Sequence, residues 1–150
     1  DLHQQVEEEL GEVWYVGLSN IYGVLKRLQQ SGRVGCDLIP QVGHPPRKVY
    51  QITPGGERSF LDWLRQPVPV IRDIRIEFPT KLFFFRALGL GGVGDLISNQ
   101  EATCRERVEG LERKTAQCSP HDLNRLVFDF RCRQIEAILD WLQVCREEWT

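Results

Sequence analysis

The chain has 150 residues, of which 41% are hydrophobic and 27% charged, and its formal net charge at pH 7 is −2. This composition fits one globular domain, or one small domain with a helical appendage, and it excludes a disordered chain and a uniformly basic nucleic-acid coat. The densest apolar run, residues 82–85, is far too short to cross a bilayer, so we expect no membrane partner and a cytoplasmic location.

The cysteines give no sign of a metal or cofactor site. They are spread along the chain and form neither a Cys-x-x-Cys pair nor a Cys/His cluster, so zinc and haem have no ligand set and we expect no cofactor. Free, buried thiols in a reducing compartment are the favoured interpretation. The five are Cys36, Cys104, Cys118, Cys132 and Cys145.

Two helices are predicted at the start of the chain. Leu2, Val6 and Leu10 repeat at i+4 and predict a short helix whose solvent face carries the glutamates at 7–9. A second helix is predicted over 19–31, with Ser19 as an acceptable N-cap and Gly32 just beyond its end. Its apolar stripe is Ile21, Val24, Leu25 and Leu28, and its opposite face carries Ser19, Tyr22, Gly23, Lys26, Arg27 and Gln30.

A β-hairpin and a third helix follow. Residues 34–39 are short and rich in branched side chains, 41–47 hold one glycine and two prolines, and 48–52 alternate polar and apolar. This order predicts a strand, a seven-residue tip and a second strand. Thr53 and Pro54 then open a helix as its N-cap and first residue.

The rest of the chain is predicted to be helical. Pro67 and Pro69 mark a linker over 67–76, and a helix is expected over 79–88 with Pro79 in its first turn. Two long helices follow, whose apolar stripes suit a coiled-coil-like seam. The first stripe is Ile97, Cys104, Val108, Leu111 and Cys118; the second is Phe128, Ile135, Leu142 and Trp149, with Ile138 and Cys145 between them.

Positive charge is concentrated around the second helix and the hairpin. Residues 20–48 contain five basic residues against Asp37 alone, in a chain whose total charge is negative. Because a duplex carries about one negative charge per 1.7 Å of axis, this local density favours DNA binding whatever the chain total. Gly23 costs about 1 kcal/mol of helix propensity, which suits a close approach of the backbone to another surface. The basic residues are Lys26, Arg27, Arg33, Arg47 and Lys48.

Three motifs in this region resemble the PadR-like transcriptional regulators. Residues 19–32 read SNIYGVLKRLQQSG and are similar to the family's third helix, S-x-I-Y-x-x-L-x-R-L-x-x-x-G. Residues 45–50, PPRKVY, resemble the family's wing, P-R-K-x-Y, and residues 52–56, ITPGG, its T-x-x-G. Each motif alone is weak, but their combination in this order is specific.

The resemblance implies a mostly α-helical chain with a small β-hairpin. The implied domains are a winged helix-turn-helix head over 1–66, a linker over 67–76 and a helical dimerisation region over 77–150. Members of the family have a further helix before the position of Asp1. The implied partners are an inverted-repeat DNA operator, a second copy of the chain and a small aromatic effector at the dimer interface, for which no lining residues are assigned. The implied DNA-binding residues are Ser19, Asn20, Tyr22, Gly23, Lys26 and Arg27 in the major groove and His44, Arg47 and Lys48 in the wing; the dimerisation residues are Phe128, Ile135, Ile138, Leu142, Cys145 and Trp149.

The sequence also bears on three other functions. Residues 89–94 match the dinucleotide fingerprint G-x-G-x-x-G, but the pattern around them is helical and lacks the strand that the fingerprint needs, so an interhelical loop is favoured. An enzyme is not expected, because His3, His44 and His121 have no evident catalytic partner. A winged-helix adaptor that binds protein instead of DNA remains the alternative.

Overall fold

The computed structural model of the chain describes Gln4, residues 7–9, Gly11 and residues 18–149. Gln4 and the exposed glutamates at 7–9 are helical, while Leu2, Val6 and Leu10 lie outside the described residues. The chain forms two compact units, Asp1–Leu64, here called the head, and Arg65–Thr150, here called the helical unit.

From Leu18 to Glu148, the described elements are six helical segments and one hairpin. The prediction of a mostly helical chain with one small β-hairpin is therefore confirmed. None of the described helices combines the length and apolar character needed to cross a membrane. In order, the elements are α1 Leu18–Gln30, β1 Val34–Gln41, β2 His44–Ile52, α2 Pro54–Arg65, a 3-10 turn Ile71–Asp73, α3 Ile74–Ala87, α4 Val93–Ala116 and α5 Leu123–Glu148.

The end of α1 is fixed by Gly32, as the sequence predicts. Gly32 has a φ of +68°, in the region where side chains are disfavoured. Its N–H donates to the Gln29 carbonyl at 3.0 Å, and the Arg33 N–H donates to the Leu28 carbonyl at 2.9 Å. These are the two bonds of a Schellman motif, which satisfies carbonyls that the helix end would leave open.

The hairpin has longer strands and a shorter tip than predicted. β1 and β2 pair antiparallel from Val34 opposite Ile52 to Gln41 opposite His44, with an irregularity between Ile39 and Gln41. Only residues 42 and 43 form the tip, so the predicted seven-residue tip is wrong. The prolines at 40, 45 and 46 lie within the strands at the irregularity between Ile39 and Gln41, where the interrupted pairing does not need their N–H donors.

Thr53 joins the hairpin to α2 and confirms the predicted N-cap. Its Oγ1 accepts from the Gly56 N–H at 3.0 Å and donates to the Gly32 carbonyl at 2.8 Å, while its own N–H donates to the Arg33 carbonyl at 3.0 Å. Gly56 is buried so closely against this chain segment that a Cβ there would overlap the Arg33 carbonyl oxygen. We call Thr53, Gly56 and the carbonyls of Gly32 and Arg33 the Thr53 junction.

The core of the helical unit lies between its three helices. Ser98, near the start of α4, accepts from Arg146, near the end of α5, at 3.2 Å, so the two long helices run antiparallel. Both predicted stripes contribute to this core, which explains the regular spacing. Its buried apolar residues include Ile74, Phe78, Leu82 and Phe85 from α3, Leu96, Ile97, Cys104 and Leu111 from α4, and Ile135, Leu142 and Cys145 from α5.

The segment predicted as a linker is instead held by the helical unit. Val68 is fully buried, and its backbone N–H and carbonyl pair with the side-chain amide of Gln100 at 2.6 and 3.1 Å. The buried Lys81 ammonium donates to the Gln66 carbonyl at 2.6 Å. These polar partners satisfy the backbone groups of Val68 and the Gln66 carbonyl, which holds this proline-rich segment against the helical unit.

The next helix begins earlier than predicted. The 3-10 turn leads directly into α3 at Ile74, so Pro79 lies inside the helix and not in its first turn. A proline there removes one backbone hydrogen bond. The burial of Ile74, Phe78 and Phe85 on one side of α3 offsets that loss.

The glycine-rich segment at 89–94 joins two helices. Gly89, with φ +59°, ends α3, and Gly92, with φ +98°, is the N-cap residue of α4. Because a helix and not a strand precedes the motif, the dinucleotide fingerprint lacks its required context. The predicted interhelical loop is confirmed.

Candidate nucleic-acid interface

The polar face of α1 is the first half of the candidate interface. Asn20, Tyr22, Lys26 and Arg27 are exposed, while Ile21 on the other side of the helix is buried. At 100° per residue these four side chains span a continuous arc of the helix surface. Ser19 lies in the first turn of α1, and its side chain is outside the described part of the structure.

Gly23 lies within this arc and leaves the helix backbone open. Apart from its chain neighbours and the backbone of its own helix, no atom of the described residues lies within 4 Å of the position that a Cβ would take there. Packing among the described residues of the head therefore does not require a glycine at this position.

The wing residues form the second half of the interface. His44, Arg47 and Lys48 are all exposed, but they lie in β2 and not in a loop. Arg47 is opposite Ile39 and Lys48 is opposite Leu38 in the hairpin. Because successive residues of a strand point to opposite faces, the two cations lie on the two sides of the ribbon.

The hairpin also exposes apolar side chains that the sequence interpretation assigned to no site. Leu38 and Ile39 are 62% and 49% exposed, and Val42 at the tip is fully exposed. Branched residues in a short strand are normally a signal of a buried face. Here the described sheet has only two strands, so these positions stay open to solvent.

The positive charge of this surface is not neutralised within the described chain. None of its five basic residues forms an ion pair with a described carboxylate. Their charges are therefore free to interact with an external anion. The basic residues are Lys26 and Arg27 in α1, Arg33 just before β1, and Arg47 and Lys48 in β2.

The predicted dimerisation residues need a correction. Ile135, Leu142 and Cys145 are only 1%, 0% and 6% exposed, because they pack inside the helical unit of one chain. They cannot face a partner without opening that core. Phe128, Ile138 and Trp149 of the same set are half-buried, and the Arg86 guanidinium stacks over the Trp149 ring at 4.7 Å.

A second apolar stripe on α5 is exposed and was missed. Its members repeat every seven residues and lie about 200° around the helix from the buried stripe. The sequence of α5 contains two seven-residue apolar repeats, and the prediction used only one of them for the coiled-coil-like seam. The stripe consists of Leu123, Phe130, Ala137 and Val144, flanked by the exposed Leu126 and Trp141.

The structure also describes the thiols and histidines. All five cysteines are free; Cys104 and Cys145 are buried and the other three half-buried. Burial is the main cause that raises the pKa of both buried thiols. His44 and His121 are exposed, and the described residues contain no group of His, Cys, Asp or Glu arranged to hold a metal ion.

Comparison with family models assigns the two parts of the chain. Residues 1–62 match the transcriptional regulator PadR-like family, and residues 74–150 match the family described as virulence activator alpha C-term. The first match covers the described residues of α1, the hairpin and the greater part of α2. The second covers α3, α4 and α5.

Two relatives are named as regulators. The negative transcriptional regulator PadR of Bacillus subtilis (strain 168) is 30% identical over 112 residues, which are 75% of this chain and 62% of that protein. A probable transcriptional regulator of Mycobacterium tuberculosis is 26% identical over 168 aligned positions, covering 98% of this chain and 87% of the relative. The chain thus spans less than two thirds of the length of the Bacillus protein.

Solved structures of Bacillus subtilis PadR are also similar. PadR in complex with operator DNA has a TM-score of 0.44 and 23% identity, covering 97% of this chain and 86% of that one. PadR in complex with p-coumaric acid has a TM-score of 0.40 and 23% identity, covering 97% and 85%.

Proposed function

Since residues 1–62 match the PadR-like family of transcriptional regulators, we propose that the chain binds operator DNA as a homodimer and represses transcription. The observation that carries this proposal is the exposed basic surface formed by α1 and the hairpin, whose five cations have no ion-pair partner among the described residues. Such a surface gains free energy from phosphates by releasing their counterions.

The two halves of the surface have different tasks in this proposal. The exposed arc of α1 enters the major groove, where Asn20 and Tyr22 contact base edges and Lys26 contacts a phosphate or a guanine. Arg47 and Lys48, on opposite sides of the hairpin, contact phosphates on the two sides of the ribbon. Base contacts set sequence preference, whereas phosphate contacts strengthen binding to every duplex.

The proposed dimer uses the exposed apolar stripe of α5. A stripe at seven-residue spacing is what a second helix needs for coiled-coil-like packing. Two heads held by a twofold axis would read an inverted repeat with half-sites about 34 Å, or a multiple of that distance, apart. Leu126 and Phe130, at 68% and 59% exposed, would be covered in the dimer.

Two further expectations remain part of the proposal. A regulator must reach chromosomal DNA, so the cytoplasmic location predicted from the sequence follows from the function. A small aromatic effector at the dimer interface stays a prediction that rests on the family resemblance.

The experiment is DNA capture from a randomised duplex library, followed by affinity measurements on the selected sequence and on random duplex. We expect Tyr22→Ala to reduce the preference for the selected sequence. We expect Arg47→Ala to weaken both duplexes alike and to reduce the salt slope by about 0.9, the value for one phosphate contact. Arg113→Ala, a surface change in the helical unit, is the control and should leave both affinities unchanged.

Two results would contradict the proposal. If the wild-type chain binds no duplex even at low salt, the DNA-binding function is wrong. If Tyr22→Ala reduces binding to both duplexes equally, the assigned division between base and phosphate contacts is wrong.

A protein-binding adaptor is the second candidate. The exposed Leu38, Ile39 and Val42 favour it, because apolar side chains suit a protein surface better than a phosphate backbone. A duplex affinity that falls steeply with salt separates DNA binding from this alternative.

A further inference from the structure

Two buried side chains of the helical unit hold the stretch of chain that follows the head. The Val68 N–H donates to Gln100 Oε1 at 2.6 Å, and Gln100 Nε2 donates to the Val68 carbonyl at 3.1 Å. The Lys81 ammonium donates to the Gln66 carbonyl at 2.6 Å. Val68, Gln100 and Lys81 are each no more than 1% exposed. We call Val68, Gln100, Lys81 and the Gln66 carbonyl the Val68 anchor.

The prolines on either side of Val68 allow only one register for this pairing. The Gln100 amide needs both an N–H and a carbonyl from the backbone that it contacts. Neither Pro67 nor Pro69 has an N–H, so a shift of the chain by one residue in either direction would lose the donor. A buried amide that lacks its partner is unfavourable, which disfavours such a shift. The sequence Pro-Val-Pro therefore determines which residue is held.

The Val68 anchor leaves only a short connection to the head. The head ends at Leu64, and Gln66 is two residues further along the chain. Two residues span at most about 7 Å in any conformation. Without the anchor, the next regular element is the 3-10 turn that begins at Ile71, and the seven residues up to it could span about 25 Å. The anchor therefore removes most of the freedom that this connection would otherwise have.

We propose that the Val68 anchor sets the spacing of DNA half-sites that two copies of the chain bind together, an inference that rests on the proposed recognition of an inverted repeat by a homodimer. The separation of the two heads then depends on the length of each connection. A short connection gives the second head a high effective concentration at one spacing and keeps it from its half-site at others. Gln100 is thus a positioning residue, which acts through the connection and not through contacts with DNA.

The test measures the affinity of the full-length chain for the operator selected from the random library. One series of duplexes has extra base pairs between the two half-sites, and one duplex carries a single half-site. Each added base pair rotates the second half-site by about 35° around the helix axis. The wild type should therefore lose at least about tenfold in affinity when two base pairs are added, because its second head no longer reaches its half-site.

Two variants loosen the connection in different ways. Gln100→Leu combined with Lys81→Met removes both polar holds, so the Val68 peptide groups must move into water to regain partners. Insertion of Gly-Ser-Gly between Arg65 and Gln66, which are both exposed, keeps the anchor and lengthens the connection to at most about 18 Å. Both variants should bind the single half-site as the wild type does. Two added base pairs should cost them less than about threefold in affinity, because a longer connection reaches more spacings.

Gln143→Leu is the matched control. It removes a side-chain amide from the same helical unit, one that is exposed, donates to Glu101 at 2.9 Å and lies outside the anchor. It should keep the wild-type dependence on spacing. Hydrogen exchange of the Val68 amide, measured by NMR, should be at least about tenfold faster in Gln100→Leu combined with Lys81→Met than in the control. If circular dichroism shows that this double variant is unfolded, the insertion variant decides the question alone.

Three results would overturn the inference. The first is a wild-type affinity that does not change when two base pairs are added. The second is an insertion variant with the same dependence on spacing as the wild type. The third is an insertion variant that loses as much affinity for the single half-site as for the operator, which would trace the effect to the head itself. Failure of the proposed function is distinguishable from these, because the wild type would then bind neither the operator nor the half-site, and the inference would fall with it.

Discussion

Lys26 and Arg27 of the head are exposed and form no ion pair with a described residue, whereas Glu101 of the helical unit is buried at 5% exposure and has three partners. Its carboxylate accepts from Arg105 at 3.1 Å, Arg146 at 3.0 Å and Gln143 at 2.9 Å. The Glu101 carboxylate therefore joins α4 to α5. Lys26 and Arg27 have no such internal role, which leaves their charges available to an external partner.

The head nevertheless depends on one internal polar cluster, the Thr53 junction. Gly56→Ala should cost at least about 3 kcal/mol of unfolding free energy in the head, because the added methyl group overlaps the Arg33 carbonyl oxygen. Amide hydrogen exchange of the hairpin measures the loss. Gly55→Ala is the control, since its Cβ would meet only Thr53 Oγ1, at 3.8 Å. Equal protection in the two variants would show that this junction does not hold the head together.

In the helical unit, the corresponding test is the substitution of Glu101. Glu101→Ala leaves Arg105, Arg146 and Gln143 without their shared acceptor and should cost about 2 to 3 kcal/mol in urea unfolding. Glu109→Ala removes an exposed ion pair from the same helix and should cost less than about 0.5 kcal/mol. Similar costs for the two would remove the contrast between the head and the helical unit.

The same carboxylate makes the stability of the helical unit depend on pH. Burial raises the pKa of Glu101, but the hydrogen bonds and charges of Arg146 and Arg105 outweigh it and hold that pKa below its ordinary value of 4.5. The carboxylate therefore stabilises the fold fully above pH 4.5, and this contribution is lost as the pH falls through the lowered pKa. The difference in unfolding free energy between the wild type and Glu101→Gln should shrink between about pH 6 and about pH 3. A constant difference over that range would contradict the assigned pKa.

The smallest expected effect on stability belongs to the exposed cations of α1. Lys26→Ala combined with Arg27→Ala should change the unfolding free energy by no more than about 0.5 kcal/mol, because neither side chain has an ion-pair partner in the described chain. The same variant should bind duplex more weakly, as fluorescence anisotropy would show. Strong destabilisation would mean that the charges on α1 have a structural role after all.

Local signals in the sequence were sufficient for much of the fold. Gly32 ends α1 and Thr53 caps α2 as predicted, because both act through bonds to residues nearby in the chain or in the hairpin. Proline was the less reliable signal. Pro45 and Pro46 suggested a loop but lie in β2, and Pro79 suggested a helix start but lies inside α3, since tertiary packing decides whether a missing N–H matters.

The candidate site was predictable in part. The exposed face of α1 follows directly from helical periodicity, as does the existence of a seam on α5. Periodicity does not identify the partner of a seam, so Ile135 and Leu142 were assigned to a second chain although they pack against their own. That Arg75, Arg107 and Arg131 line one groove of the helical unit was beyond sequence reasoning, because only the packing of three helices brings them together.

The pairing of Val68 with Gln100 determines where the chain can be cut. A protease directed at the proline-rich stretch 67–69 should find it resistant, because its central peptide groups are already engaged by a buried amide. A shortened polypeptide that begins at residue 70 would leave the Gln100 amide without its backbone partners and would also lose the Gln66 carbonyl that Lys81 uses. Dissection of the molecule for separate expression of its C-terminal part should therefore begin no later than Arg65.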